Sequence, residues 1–452
     1  MGSYFFRETL QTLKLRRISR YRWPLVITAT LIITAVFSLS PLVNVANPGS
    51  LPHATLRTPF LYDLFAPASN VLDAITILSP AQYWATFILC AVCFLAVTLV
   101  RQRRALGRLC PFRTMRCAVG VLGGTVAVLG IMLIGPRPMA SLALSDSDLI
   151  AVDFHSHTEA SHDGRTGFTA ERNREWHQRS GFDAAYVTDH RTFDGALDGE
   201  ARNPAVSGDG TVLLPGLELR DGSEHLLLIG VDPRRMKITS PDWQGAAVAA
   251  DGGPVPPMLV LVMPGDIQHI PRSEISGAIH LAGIEASDGS PRGLAQSATG
   301  RDTILATSSR LGLALVAGSD NHGWGRLAPA WSVLRIPGWR RLTPAQLDVE
   351  IRRTIITRGT SSVQVIERRT APPSHNAVEA ALGGVTAGLV MARTMSSEER
   401  VSWIAWSWGL CALSLRLARR NHNRRRAELR ARKRKRPPPL LVEDAAAIRV
   451  AS

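Results

Sequence analysis

The stretch LIAVDFHSHTEASHDGR, residues 149–165, sets an apolar run directly before a dense group of potential metal ligands. The run reads as a strand, and because side chains at i and i+2 of a strand point the same way, Asp153, His155 and His157 project from one face near its C-terminal end. Two imidazoles and a carboxylate so placed are the start of a metal site. Asp163 follows in a turn marked by Ser161 and Gly164, from which its carboxylate reaches back toward the imidazoles. His162, beside it, is an alternative donor.

The same kind of ending recurs downstream. AAYVTDH closes an apolar run with Asp189 and His190; LLPGLEL offers Glu218; HLLLIGV opens with His225; GAIHLAG carries His280; and LALVAGSDNHG closes with Asp320 and His322. Nine of the twelve histidines lie between residues 155 and 322. In α/β sheets and barrels, functional groups gather at the C-terminal ends of strands, so these distant positions converge at one mouth. His177 and His269 fit none of these endings and read as surface or helix histidines.

Short apolar runs at 149–154, 184–188, 212–218, 225–231, 258–263, 276–280, 313–318 and 331–336 alternate with helix-like segments at 169–179, 299–311 and 344–357. This alternation predicts an α/β architecture with a largely parallel sheet, open or closed into a barrel, over about residues 150–370.

The ordered motifs resemble those of the PHP (polymerase and histidinol phosphatase) family of metal-dependent phosphoesterases. They are D-x-H-x-H with a following S-x-D-G, then T-D-H, G-x-E with a following H-x-L-x-x-G, a strand-end histidine, and G-S-D-x-H. The resemblance covers residues 151–370. It implies a distorted (β/α)7 TIM-like barrel holding two or three divalent ions, zinc, manganese or iron. The implied ligands are His155, His157, Asp163, His190, Glu218, His225, His280, Asp320 and His322, with Glu218, Asp320 and His322 nearest the chemistry. The family pattern has Pro after the fourth-motif histidine, whereas Leu281 follows His280 here.

Mixed imidazole and carboxylate donors suit these metals, and a bridging carboxylate such as Glu218 holds two of them together, activating water for attack on a phosphate ester. Asp153 is expected to orient a ligand histidine. Arg165 and Arg191, each near an expected ligand, are candidates for gripping the phosphate of a small phosphorylated substrate. Rival readings are a non-catalytic metal-binding or sensing module of a membrane complex, a nuclease, and a hydrolase of a non-phosphate bond.

The net charge of +15 resembles a nucleic-acid signature, but its distribution excludes a polyanion track on the central region. Residues 1–22, 101–116 and 416–436 carry +5, +6 and +11, which leaves −7 elsewhere. No nucleic-acid partner is therefore expected. The basic segments flank apolar runs, as topology signals do. Residues 24–46, 82–100 and 117–135 read as three transmembrane helices, with the basic N-terminus (1–22) and the arginine-rich loop in the cytoplasm. Residue 137 onward then lies outside, in a multi-pass inner-membrane protein with an extracytoplasmic hydrolase domain. Residues 377–392 and 401–417 supply one or two further apolar helices, and the tail 418–452 reads as a disordered basic anchor for anionic lipid headgroups. The five cysteines sit in or beside apolar runs, so the central domain needs no disulfide.

Overall fold

A computed structural model describes residues 21–51, 53–107, 111–135, 137–221, 224–234, 254–262 and 280–434. Two compact units emerge, Ile33–Arg400 and a second made from the chain's two ends, Met1–Ile32 with Val401–Ser452.

The larger unit is built on a curled ten-stranded sheet. Its strands, in chain order, are β1 (Leu42–Asn44), β4 (Leu149–Ser156), β5 (Ala184–Val187), β6 (Val212–Asp221), β7 (Glu224–Ile229), β8 (Met258–Val262), β9 (His280–Asp288), β10 (Ala314–Gly318), β11 (Ala330–Arg335) and β12 (Val363–Arg368). A separate hairpin-like pair, β2 (Ala54–Arg57) and β3 (Ser141–Leu144), is antiparallel. The spatial order in the large sheet is β1-β12-β11-β4-β5-β6-β7-β8-β9-β10. Four of these pairings are parallel and five antiparallel, so the sheet is mixed rather than largely parallel. The reversals are at β7, separated from β6 by two residues, at β11 and at the edge strand β1. The remaining strands β4, β5, β6, β8, β9, β10 and β12 all run one way and deliver their C-terminal ends to the same rim.

The sheet curls until the segment after its edge strand β10 meets β4 at that rim. Ser156 bridges Asn321 in parallel register, the Asp320 N–H donates to His155 O at 2.8 Å, and the His157 N–H donates to Asn321 O at 3.2 Å. Every residue of β4, β5, β8 and β10 is buried, as expected of strands covered on both faces. Alternate residues feed different clusters: Ile150, Val152 and Phe154 pack with Tyr186, Val260 and Ile351, while Leu149 and Ala151 join Trp331 and Phe182.

Local signals set the helices. Thr169 caps Ala170–Ser180, which ends at Gly181 in the left-handed region; the Thr343/Gln346 capping box starts Pro344–Arg358, and the Ser79/Gln82 box starts Pro80–Leu106. The helix expected over 299–311 is Arg301–Leu311, and a further helix, Pro291–Thr299, precedes it across Gly300. Of the strand expected at 276–280, His280 is described and belongs to β9, which continues to Asp288; residues 276–279 lie outside the described ones, as does His269.

The N-terminal span expected over 24–46 is corrected. The helix there is Arg22–Val36, 15 residues or about 22 Å at the α-helical rise, short of the hydrocarbon thickness. Leu42–Asn44 then pairs with β12, Leu42 opposite Arg368. Among the described residues two helices are long and apolar enough to cross a membrane, Pro80–Arg104 and Ser397–Arg430; Thr114–Val128 is shorter. Residues 418–434, expected in a disordered tail, instead continue one 38-residue helix, Ser397–Arg434; residues beyond 434 lie outside the described ones. Helix Ala377–Thr394 packs on Pro80–Leu106, where Gly383 and Gly384 leave no room for a Cβ against Gln82 and Thr86. In the smaller unit, Trp408 stacks on Tyr21 and its indole N–H donates to Thr28 Oγ1 at 3.2 Å.

Candidate metal centre

The strand ends converge as their common direction requires. His155 Nε2 lies 3.1 Å from His157 Nε2, 3.0 Å from Glu218 Oε2 and 3.5 Å from Asp320 Oδ1. His157 Nε2 is 3.2 Å from the same Glu218 oxygen and 3.4 Å from the same Asp320 oxygen. A cation with four donors at about 2.0–2.2 Å in a tetrahedron holds them about 3.3–3.6 Å apart; the separations here, 3.0–3.5 Å, run from just below that range to within it. Two imidazole nitrogens facing each other at 3.1 Å share at most one proton, so a common positive centre accounts for the arrangement better than hydrogen bonds do.

Further donors continue the cluster outward. His190 Nε2 is 3.4 Å from Glu218 Oε2 and 3.5 Å from Asp163 Oδ2, and His322 Nε2 is 3.2 Å from that Asp163 oxygen. The other Glu218 oxygen meets His225 Nδ1. Among the described residues three ligand groups result, His155–His157–Glu218, His190–Glu218–His225 and His157–Asp163–His190–His322, with Asp320 in none of them. Glu218, with two carboxylate oxygens, can bridge neighbouring cations; His157 and His190 each fall in two groups, but an imidazole nitrogen has one lone pair and serves one ion at a time.

Electrostatics agree with a site that collects positive charge. Burial pushes the Glu218 carboxyl up, but the His155, His157 and His225 imidazoles more than reverse this and hold it well below the carboxylate range. Burial also opposes charge on His157, yet Asp320 and Glu218 raise it to about 9. Protons thus occupy a place that a divalent cation takes with greater charge. His190, lowered to about 4 by burial, stays neutral with a lone pair to offer.

The remaining expected residues fall as follows. Asp153 does not bond a ligand imidazole: its Oδ1 accepts from the backbone N–H groups of His155 (3.1 Å) and Ser319 (2.9 Å), and its Oδ2 meets His177 Nε2 at 2.7 Å. His177 is therefore fully buried, correcting its reading as a surface residue. His162 is exposed and points to Asp163 from outside the ligand groups. Arg165 lies over the Trp324 ring, 4.6 Å from its centroid, and its backbone N–H donates to His322 O at 2.9 Å, placing it at the rim. Arg191 is exposed, with φ +62°, and Asp320 shares that left-handed conformation at +45°; such backbone strain clusters at functional sites.

His280 pairs with Met258, the first residue of β8, so its backbone lies at the end of the sheet away from the rim; its side chain is outside the described residues. Glu285, five residues on and fully buried, approaches His155 Nδ1 at 3.3 Å, and burial raises its carboxyl to about 7. Sequence reading missed Glu285 and Asp288. An acidic residue at every third place of an apolar strand, IEASD, was the available signal.

No protein-family profile and no curated protein matches the chain. Solved structures align over about half of it. PsfC from Pseudomonas syringae is 18% identical over 55% of this chain and 100% of its own, with a TM-score of 0.35. A provisionally assigned metal-dependent phosphoesterase from Bifidobacterium adolescentis is 18% identical over 46% and 96%, TM-score 0.28. The lesion-specific endonuclease EndoQ from Pyrococcus furiosus is 15% identical over 48% and 57%, TM-score 0.34.

Proposed function

We propose that this chain is a membrane-anchored, metal-dependent phosphoesterase of the PHP type, its curled sheet being that family's distorted barrel. The observation that carries this reading is the convergence of donor atoms from His155, His157 and Glu218 on one rim, with Asp320 Oδ1 within 3.5 Å of both imidazoles. His190, Asp163, His322 and His225 extend it to two or three cations.

Divalent ions held there supply Lewis acidity toward a phosphate oxygen and make water a nucleophile at neutral pH. The chain's own residues do the rest. Glu218 divides its two oxygens between donor groups and so fixes their spacing. Glu285 Oε1 faces His155 Nδ1, orienting the ring so that Nε2 points into the cluster. Arg165, held at the rim by Trp324 and Gly323 O, offers a guanidinium to an incoming phosphate. Anchoring rests on the Pro80–Arg104 and Ser397–Arg430 helices.

The test is purified full-length chain assayed for metal content and for phosphate release from a panel of phosphomonoesters. Two or three bound ions and turnover that Asp320→Ala abolishes are expected. Stoichiometric metal with no turnover of any ester selects the sensing module instead.

A further inference from the structure

The rim that holds the ligand cluster and the start of helix Pro80–Leu106 belong to the same end of the sheet. β4 and β12 run in one direction because each is antiparallel to β11, and β9 and β10 run in that direction too. A cavity of about 350 Å³ is lined by Ser79, Pro80 and Gln82 at the helix start, by Ser287 near the end of β9, and by Glu367 and Arg368 at the end of β12. Gln82 Nε2 also donates to Pro372 O at 2.7 Å, just past β12. Ser287 lies next to Asp288, whose buried carboxyl feels Asp320 of the ligand cluster.

From that start the helix leaves the sheet behind. Its most apolar window has a mean hydropathy of 2.3 and contains no fully buried residue; Ala377–Thr394 packs on one side, while Trp84, Ile88 and Val92 are exposed along it. The uncovered side of an apolar helix of this length suits lipid. The bilayer surface is then set at the mouth end. Trp324, two residues beyond His322, is 47% exposed there with Arg165 against its face, the aromatic and cationic pairing that suits a headgroup layer.

We infer that the substrate of the metal centre is a phosphate ester carried on a membrane lipid, entering from the bilayer surface. This rests on the phosphoesterase reading and names its substrate class. In the step, the oxygen of water forms the new P–O bond, the P–O bond to the lipid breaks, and the departing lipid alkoxide takes a proton. Inorganic phosphate and a neutral lipid alcohol result. Burial of the acyl chains beside the mouth supplies binding energy that a soluble ester lacks.

The experiment uses the full chain with its metals in nanodiscs. Phosphatidic acid in the disc and soluble glycerol phosphate are compared as substrates, and kcat/KM is expected to favour the lipid by at least about tenfold. Separately from turnover, nanodiscs with brominated acyl chains are expected to quench Trp324, seen as a larger fluorescence loss in the wild type than in Trp324→Phe. Equal turnover of both esters overturns the inference and leaves the phosphoesterase standing. Turnover of neither overturns both, and absence of the Trp324 quenching difference overturns the membrane-facing mouth itself.

Discussion

His177 Nε2 and Asp153 Oδ2 lie 2.7 Å apart with neither side chain exposed, tying the helix Ala170–Ser180 to the strand that carries His155 and His157. Through its other oxygen Asp153 holds the backbones of His155 and Ser319, one on each side of the seam where the sheet closes. Removing His177 leaves that carboxylate buried and half-partnered. His177→Ala is expected to destabilise the fold by about 3–5 kcal/mol and to lower retained metal by about 10–100-fold in affinity. Denaturant titration and elemental analysis read the two effects; a variant as stable and as metal-rich as the wild type would contradict the role.

Glu218 is the donor common to two of the ligand groups. Glu218→Ala is expected to drop the metal content of the purified chain by at least one ion and to abolish turnover. Arg191→Ala, exposed at the rim, is expected to change metal content not at all. Mass-spectrometric metal counting on the two variants side by side makes the comparison, and equal counts would remove Glu218 from the centre.

Chelation should be felt as lost stability. Ions bound at 100 times their dissociation constant stabilise a fold by about 2.7 kcal/mol, so dialysis against a chelator is expected to lower the melting temperature and re-addition of zinc or manganese to restore it. A melting curve indifferent to both treatments would leave the clustered imidazoles without a cation to hold.

Asp183 sets a pH dependence away from the centre. Burial, partly countered by the Ala151 N–H, pushes its carboxyl up to about 6, above the unfolded value. The folded state therefore binds this proton more tightly; its stabilising contribution is full below about pH 4 and is lost as pH rises through about 6. Asp183→Asn keeps an acceptor for the Ala151 N–H and carries no charge. It is expected to match the wild type near pH 4 and to exceed it by about 1–3 kcal/mol above pH 7, measured by melting across that range. An equal pH slope in both proteins would refute the assignment.

Much of the centre was legible because its donors end apolar runs, and a run's end is visible in one dimension. His155, His157, His190, Glu218, Asp320 and His322 follow that rule and meet. His280 stands apart: its backbone pairs with Met258 at the start of β8, and only that register reveals the direction. Glu285 was hidden because its partner, His155, is 130 residues distant. The mixed pairing was likewise invisible, since an apolar run looks alike in a parallel or an antiparallel neighbour. Composition alone made 24–46 one membrane span, although Leu42–Asn44 has a sheet edge to satisfy.

That short edge pairing decides how the sheet-bearing portion can be handled in isolation. Leu42–Asn44 shields the outer flank of β12, and a fragment beginning near residue 150 would present that flank as a row of bare amide and carbonyl groups. Such a fragment should self-associate through strand addition, so a well-behaved truncation has to retain the segment from about residue 40, apolar helices included.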